Sequence, residues 1–345
     1  MNVAVLRRAL AINSLVLLTA LLPTLTRGAT LPLSVEVDKA AIDLDTAITD
    51  AVSMSLARRP AHLLTGTRFR VISATTQPDW ALVSVVALDD PHLDPHAPDA
   101  GGLSKLVLVQ QLPDGTWEAA IDGEPAFARL LEATPAPLLA ADAKTILGPD
   151  PTLKTNSTVS YKFPWPSGQA WGWWQGWHTS AHDLGTTSTD RRVLAAAEGV
   201  VSAVYSCTLS TIIDLKHADG AVFRYIHIDK QSVDTASLRV GVRIPQGFVL
   251  GVVKPDTWSD GNCGYTTQSP GWAHIHWVMP TDRPITLDGW TITFPSNTWR
   301  KDSVTKVPGY GAASTLPSTN VPITSTQPVS SNLRQRMFLP VLKYR

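Results

Sequence analysis

The run Ala273-His274-Ile275-His276-Trp277 constrains this chain more than any other, because apolar and imidazole side chains alternate along it. A period of two reads as a β-strand, on which side chains at i and i+2 leave the same face. His274 and His276 therefore share a face, and two imidazoles on one face can enter one metal site. Alone, such a pair equally suits a polar strand surface. The wider sequence adds weight. His178 and Asp183 stand upstream in Gly176-Trp177-His178-Thr179-Ser180-Ala181-His182-Asp183, and His227 sits in Tyr225-Ile226-His227-Ile228.

A first His, an Asp shortly after it, a Tyr-x-His strand and a final His-x-His, in that order, resemble the secreted zinc metallopeptidases of the lysostaphin and LasA type, the M23 or glycyl-glycine endopeptidase family. Ala196-Ala197-Glu198-Gly199-Val200-Val201 is similar to that family's strand of apolar, acidic and glycine residues. Lys216-His217-Ala218-Asp219-Gly220 is similar to its hairpin turn, and Val240-Gly241 with Ile244-Pro245-Gln246-Gly247 to a further turn. The likeness covers roughly residues 160 to 295.

The resemblance implies one zinc ion per chain, held by His178, Asp183 and His276, with a fourth position open to water. Three protein ligands and an open position are the catalytic arrangement, whereas structural zinc is closed by four. His227 and His274 match the family's non-ligand pair, which acts on the water and on the developing oxyanion. Zinc lowers the pKa of bound water to about 7 and polarises a carbonyl, and a nearby imidazole can move the proton. No Ser or Cys nucleophile is needed, and no G-x-S-x-G elbow is present.

One departure concerns spacing. Four residues separate His178 from Asp183, where many relatives have three, and His182 is a rival first ligand. If Asp183 lies on a strand, His182 points to the opposite face, which favours His178. His217, between apolar segments in His-Ala-Asp-Gly, reads as an exposed hairpin turn.

A length of 345 residues suggests two domains. Zero formal net charge gives no electrostatic footprint for nucleic acid. Arg7 and Arg8, the apolar run Ala9 to Leu22 and small residues near Gly28 and Ala29 have the layout of a secretory signal peptide over residues 1–29. The expected location is therefore secreted, cell-surface or periplasmic, with no integral membrane span after signal removal. Export lets the two cysteines, Cys207 and Cys263, be read as a disulfide.

Residues 30–135 read as a small α+β domain. It has an amphipathic helix over 36–59, strands over Phe69–Thr75, Trp80–Leu88, Leu103–Leu112 and Trp117–Ile121, and a helix over Ala126–Ala133. Two roles are open for it, a propeptide or inhibitory domain and an accessory domain. Residues 136–160 read as a linker, 161–300 as the zinc peptidase domain, and 301–345 as a tail, Ser/Thr/Pro-rich from Ser314 to Ser331 and extended or disordered. Trp165, Trp171, Trp173, Trp174, Trp177, Trp272 and Trp277 suit a core, and equally the walls of a cleft.

The expected molecule is an exported zinc metalloendopeptidase, a monomer, with a compact antiparallel β-sheet catalytic domain of lysostaphin/LasA type preceded by a small α+β domain. Its expected partner is peptidoglycan or an extracellular protein, cut at Gly- or Ala-flanked bonds. The alternative is a non-catalytic module of the same fold that binds cell wall or activates a hydrolase. A lipoyl-type carrier would need a lysine at a hairpin tip and leaves the histidines unexplained.

Overall fold

The computed structural model describes residues 33–37, 42, 44–59, 66–89, 102–148, 159–178, 181–254, 260, 273–294, 298–308 and 315–323; side chains 173–178 fall outside this set. The signal-like segment 1–29, Trp272 and Cys263 lie outside the described residues. No helix among the described residues is long and apolar enough to cross a membrane.

The amino-terminal part is built from β1 (Ser34–Val37), α1 (Thr46–Arg58), β2 (Arg68–Gln77), β3 (Trp80–Ala87), β4 (Lys105–Gln111), β5 (Trp117–Ile121), α2 (Pro125–Ala133) and α3 (Ala141–Leu147). Its five strands lie in sequence order, with β1 parallel to β2 and the rest antiparallel. Period-two alternation gives this sheet two apolar faces. Val83, Val85, Val107 and Val109 pack with Val52 and Leu56 of α1, while Leu82, Leu106 and Leu108 pack with Leu130 and Leu131 of α2 and Ile146 of α3.

Two sequence expectations change here. The helix expected over 36–59 begins only at Thr46, because Asp45 caps it by accepting the Ala47 N–H at 2.7 Å. Glu36 instead sits on β1, where it pairs with Arg68 and Arg70 of the neighbouring strand. Within the stretch read as a linker, Ala141–Leu147 folds as α3, since Ala143, Ile146 and Leu147 have an apolar surface to bury against.

The second part comprises β6 (Ala170–His178), β7 (Ala181–Thr186), β8 (Arg192–Leu194), β9 (Gly199–Ser206), β10 (Ser210–His217), β11 (Val222–Asp229), β12 (Arg243–Ile244), β13 (Val249–Val252), β14 (Ala273–Val278), β15 (Ile285–Leu287), β16 (Trp290–Ile292), β17 (Trp299–Lys301), β18 (Val304–Lys306) and β19 (Thr315–Pro317). Eight of these form an antiparallel sheet in the order β12-β9-β10-β11-β14-β7-β6-β19. The fold is thus mostly β with antiparallel pairing, as the sequence indicates. β15 to β18 form a small separate sheet, and β8 pairs β13. In the stretch read as a tail, β18 and β19 are ordered, and β19 covers the free edge of β6.

One face of the large sheet is the main core. Ile213, Leu215, Phe223, Tyr225, Ile275, Trp277 and Leu184 pack there with Trp165, Trp171 and Trp299. Trp165, Trp171 and Trp277 are therefore core residues, while the side chains of Trp173, Trp174 and Trp177 lie outside the described residues. The histidine-bearing face is the other one.

Candidate metal centre

β14 and β7 set the site by register. His276 stands opposite Asp183 and His274 opposite Gly185, so strand alternation delivers Asp183, His274 and His276 to one face. The contact follows. His276 Nδ1 lies 2.8 Å from Asp183 Oδ1, and His274 Nε2 lies 4.0 Å from Asp183 Oδ2. A Cβ at Gly185 would sit 3.3 Å from the His274 Cβ and 3.1 Å from the Ala273 carbonyl oxygen, so the glycine leaves His274 its space.

His227 arrives by a different device. Plain alternation would send it to the face opposite Ile226, which pairs His276. Instead the β10–β11 register shifts between Thr211 and Ile213, and His227 takes a left-handed φ of 70°. The bulge turns its ring toward the site, with ring centroids 5.0 Å from His274 and 5.9 Å from His276. A non-glycine residue held at positive φ stores strain, which is most common at functional positions. Two residues earlier, Tyr225 accepts the Ala196 N–H through its hydroxyl at 3.0 Å and fixes the strand from the core side.

All four side chains are buried: Asp183 is 2% exposed, His227 3%, His274 3% and His276 1%. A carboxylate and three imidazoles in so dry a place need charged or hydrogen-bonding company, and a cation would supply it. Asp183 and His276 offer what zinc takes, a carboxylate oxygen and a ring nitrogen close enough to be adjacent ligands. Among the described residues no group of three His, Cys, Asp or Glu forms a complete metal-holding set. The third ligand expected from sequence, His178, ends β6 with its backbone paired to Ala181, and its side chain lies outside the described residues.

His182 is excluded from this constellation by its register. It pairs with Trp277 on the core side, is 0% exposed and meets the rings of Phe294 and Trp299 at 5.9 Å each. His217 corrects the sequence reading more strongly. It is fully buried rather than in an exposed turn, because the turn itself is Ala218-Asp219-Gly220 and His217 closes β10. Its Nδ1 lies 2.8 Å from the Glu198 carbonyl oxygen, and its ring meets Tyr161 and Phe223 edge-on. Burial pushes its pKa down to about 4, against a smaller upward pull from the Glu198 hydrogen bond. It is a core histidine.

No family model matches the chain, and no curated protein matches it. Among solved structures, it is similar to a protein described as a glycyl-glycine endopeptidase LytM from Ruminococcus gnavus, at 18% identity over 49% of this chain and 68% of that one, with a TM-score of 0.25. It is also similar to one described as a peptidase M23 from Pseudomonas aeruginosa, at 21% identity over 51% and 67%, with a TM-score of 0.24. A zinc containing peptidase from Vibrio cholerae follows at 8% identity over 68% and 61%, with a TM-score of 0.21. At these TM-scores the likeness carries no argument, and the chemistry rests on the site's own residues. Each of the three is described as a peptidase.

Proposed function

We propose that this chain is an exported zinc-dependent endopeptidase that hydrolyses peptide bonds with small flanking residues, in peptidoglycan cross-links or extracellular protein. The observation that carries this reading is the convergence of Asp183, His276, His274 and His227 on one buried patch of sheet. Asp183 and His276, with His178, would hold one zinc ion. Bound there, zinc supplies Lewis-acid polarisation of a carbonyl oxygen and acidifies water.

The chain's own residues divide the remaining work. Asp183 and His276 fix each other's orientation. Of His227 and His274, one accepts the proton of the attacking water and passes it to the departing amine, a role worth about 10²–10⁴-fold. The other donates a hydrogen bond to the oxygen that gains charge as the carbonyl carbon becomes tetrahedral. The near-dry surroundings strengthen both interactions. Cys207 is buried, and in an exported chain it would bridge Cys263.

The experiment is release of new amino termini from purified peptidoglycan and from a pentaglycine peptide by the full chain. Release that stops with chelator and returns with zinc supports the reading. Zinc-loaded protein that binds cell wall yet releases no amino termini is instead a binding module.

A further inference from the structure

Of the four side chains that meet at the site, only that of His227 stands on strained backbone, with its φ of 70°. Such a conformation persists where the surroundings over-determine it. The sheet ladder does not supply that constraint. The pairing of β11 with β14 runs from Arg224 to Ile226, and its pairing with β10 slips between Thr211 and Ile213, so the ladder is interrupted on both sides of His227.

The constraint comes from the end of β13. The Lys254 N–H donates to the His227 carbonyl at 3.3 Å, and Ile228 bridges Val253. β13 is irregular at the same place, since its register with β8 shifts between Val249 and Gly251. Gly251 lets the two strands come this close. Its φ is 153°, and a Cβ there would fall 2.4 Å from Ile228 Cγ2 and 2.8 Å from Ser232 Oγ. Two bulges, one on each strand, thus pack against each other.

Ser232 ties them together. It closes the short 3-10 turn Lys230–Ser232 that follows β11. Its hydroxyl donates to the Asp229 carbonyl at 2.7 Å and accepts the Val252 N–H at 2.9 Å, using both of the capacities a hydroxyl has. One side chain therefore joins the residue two places after His227 to the residue two places before Lys254, the donor to the His227 carbonyl.

We propose that Ser232 is a positioning residue for the reaction, holding the bulge that aims the His227 ring at Asp183, His274 and His276. This rests on the peptidase reading above. Without the hydroxyl, the Asp229 carbonyl and the Val252 N–H lose the group that joins them, the end of β13 is free to draw back, and the His227 backbone loses its brace. The ring then leaves the direction its task needs. His227 is assigned to a proton or a charge that moves only as the bond breaks, so its misplacement lowers kcat and leaves KM unchanged. The metal ligands stand on other strands and keep their zinc.

The test compares the full zinc-loaded chain with Ser232→Ala and Ser232→Thr, the second of which keeps the hydroxyl. On a pentaglycine peptide, Ser232→Ala should lose about 10-fold or more in kcat at equal zinc and unchanged KM, and Ser232→Thr should restore most of it. A second readout does not depend on turnover. In chain labelled with ¹³C-histidine, the ring signal of His227, recognised by its loss in His227→Gly, should move in Ser232→Ala and stay in place in Ser232→Thr. An unchanged kcat, a raised KM, lost zinc or an unmoved His227 signal in Ser232→Ala would each overturn the positioning role, even if the melting temperature falls. A parent chain that cleaves nothing removes the peptidase reading, and the ring signal alone then decides whether Ser232 holds His227.

Discussion

His276 Nδ1 lies 2.8 Å from Asp183 Oδ1 because the two residues are directly paired across β14 and β7. Ninety-three positions separate them in the chain, and the sheet register alone brings them together. From that contact follows the first prediction. His276→Ala and Asp183→Ala should each lower zinc, measured by metal analysis of the purified full chain, from about one ion per chain to a small fraction. Stoichiometric zinc in both variants would assign the metal elsewhere.

The second prediction separates two histidines near Asp183. His178→Ala should lose zinc, whereas His182→Ala should keep it, because His182 lies on the core face against Phe294 and Trp299. His182→Ala should instead lose about 1–3 kcal/mol of stability in denaturant unfolding, the usual result of emptying a packed site. Zinc loss in His182→Ala with retention in His178→Ala would reverse the assignment.

Much of this was legible beforehand, for physical reasons. His-x-His on a strand fixes a shared face by period alone, and strand alternation correctly separates His182 from Asp183. The extents of β5 and α2 follow from local pattern, Trp117–Ile121 as expected and Pro125–Ala133 one residue longer. What local pattern does not carry is register. The bulge that turns His227 toward His274 depends on how β10 pairs with β11. The burial of His217 depends on Tyr161, more than fifty residues away, and the Asp122–Lys216 ion pair and the hydrogen bond from the Ser104 N–H to Asp214 each span about a hundred residues.

The strained backbone at His227 gives a third prediction. Glycine adopts a φ of 70° without steric cost, so His227→Gly should fold with unchanged or raised stability, by about 1 kcal/mol at most, while losing turnover. A loss of more than about 2 kcal/mol would show that the imidazole holds the fold rather than serving the chemistry.

His217 supplies a pH dependence. Its pKa is about 4 when folded against 6.5 for an unperturbed imidazole, so the unfolded chain binds the extra proton between those values. Stability should be full above pH 6.5 and fall by about 3 kcal/mol as pH drops toward 4. In His217→Asn that slope should flatten, as read by unfolding midpoints across pH 4–7. An unchanged slope would mean that other groups cause the acid loss.

The buried pair Asp214–Arg224 joins β10 to β11 and hydrogen-bonds the amino-terminal part through the Ser104 N–H and the Gly102 carbonyl, and Arg224→Met should cost about 3–5 kcal/mol by leaving Asp214 uncompensated. Replacing both, with Asp214→Leu beside Arg224→Met, should recover a large part of that loss. If the double variant is no more stable than the single one, the pair's geometry rather than its charge balance is what matters.

The most direct test of the central claim is the rate at which His274→Ala releases amino termini from a pentaglycine peptide, compared with the parent chain at equal zinc content. His274 is assigned to moving a proton or holding an oxyanion, and not to holding metal. The variant should therefore carry the same zinc and turn over about 10²-fold more slowly or worse. Equal rates at equal zinc would contradict the assignment, as would a parent chain that carries zinc and releases nothing.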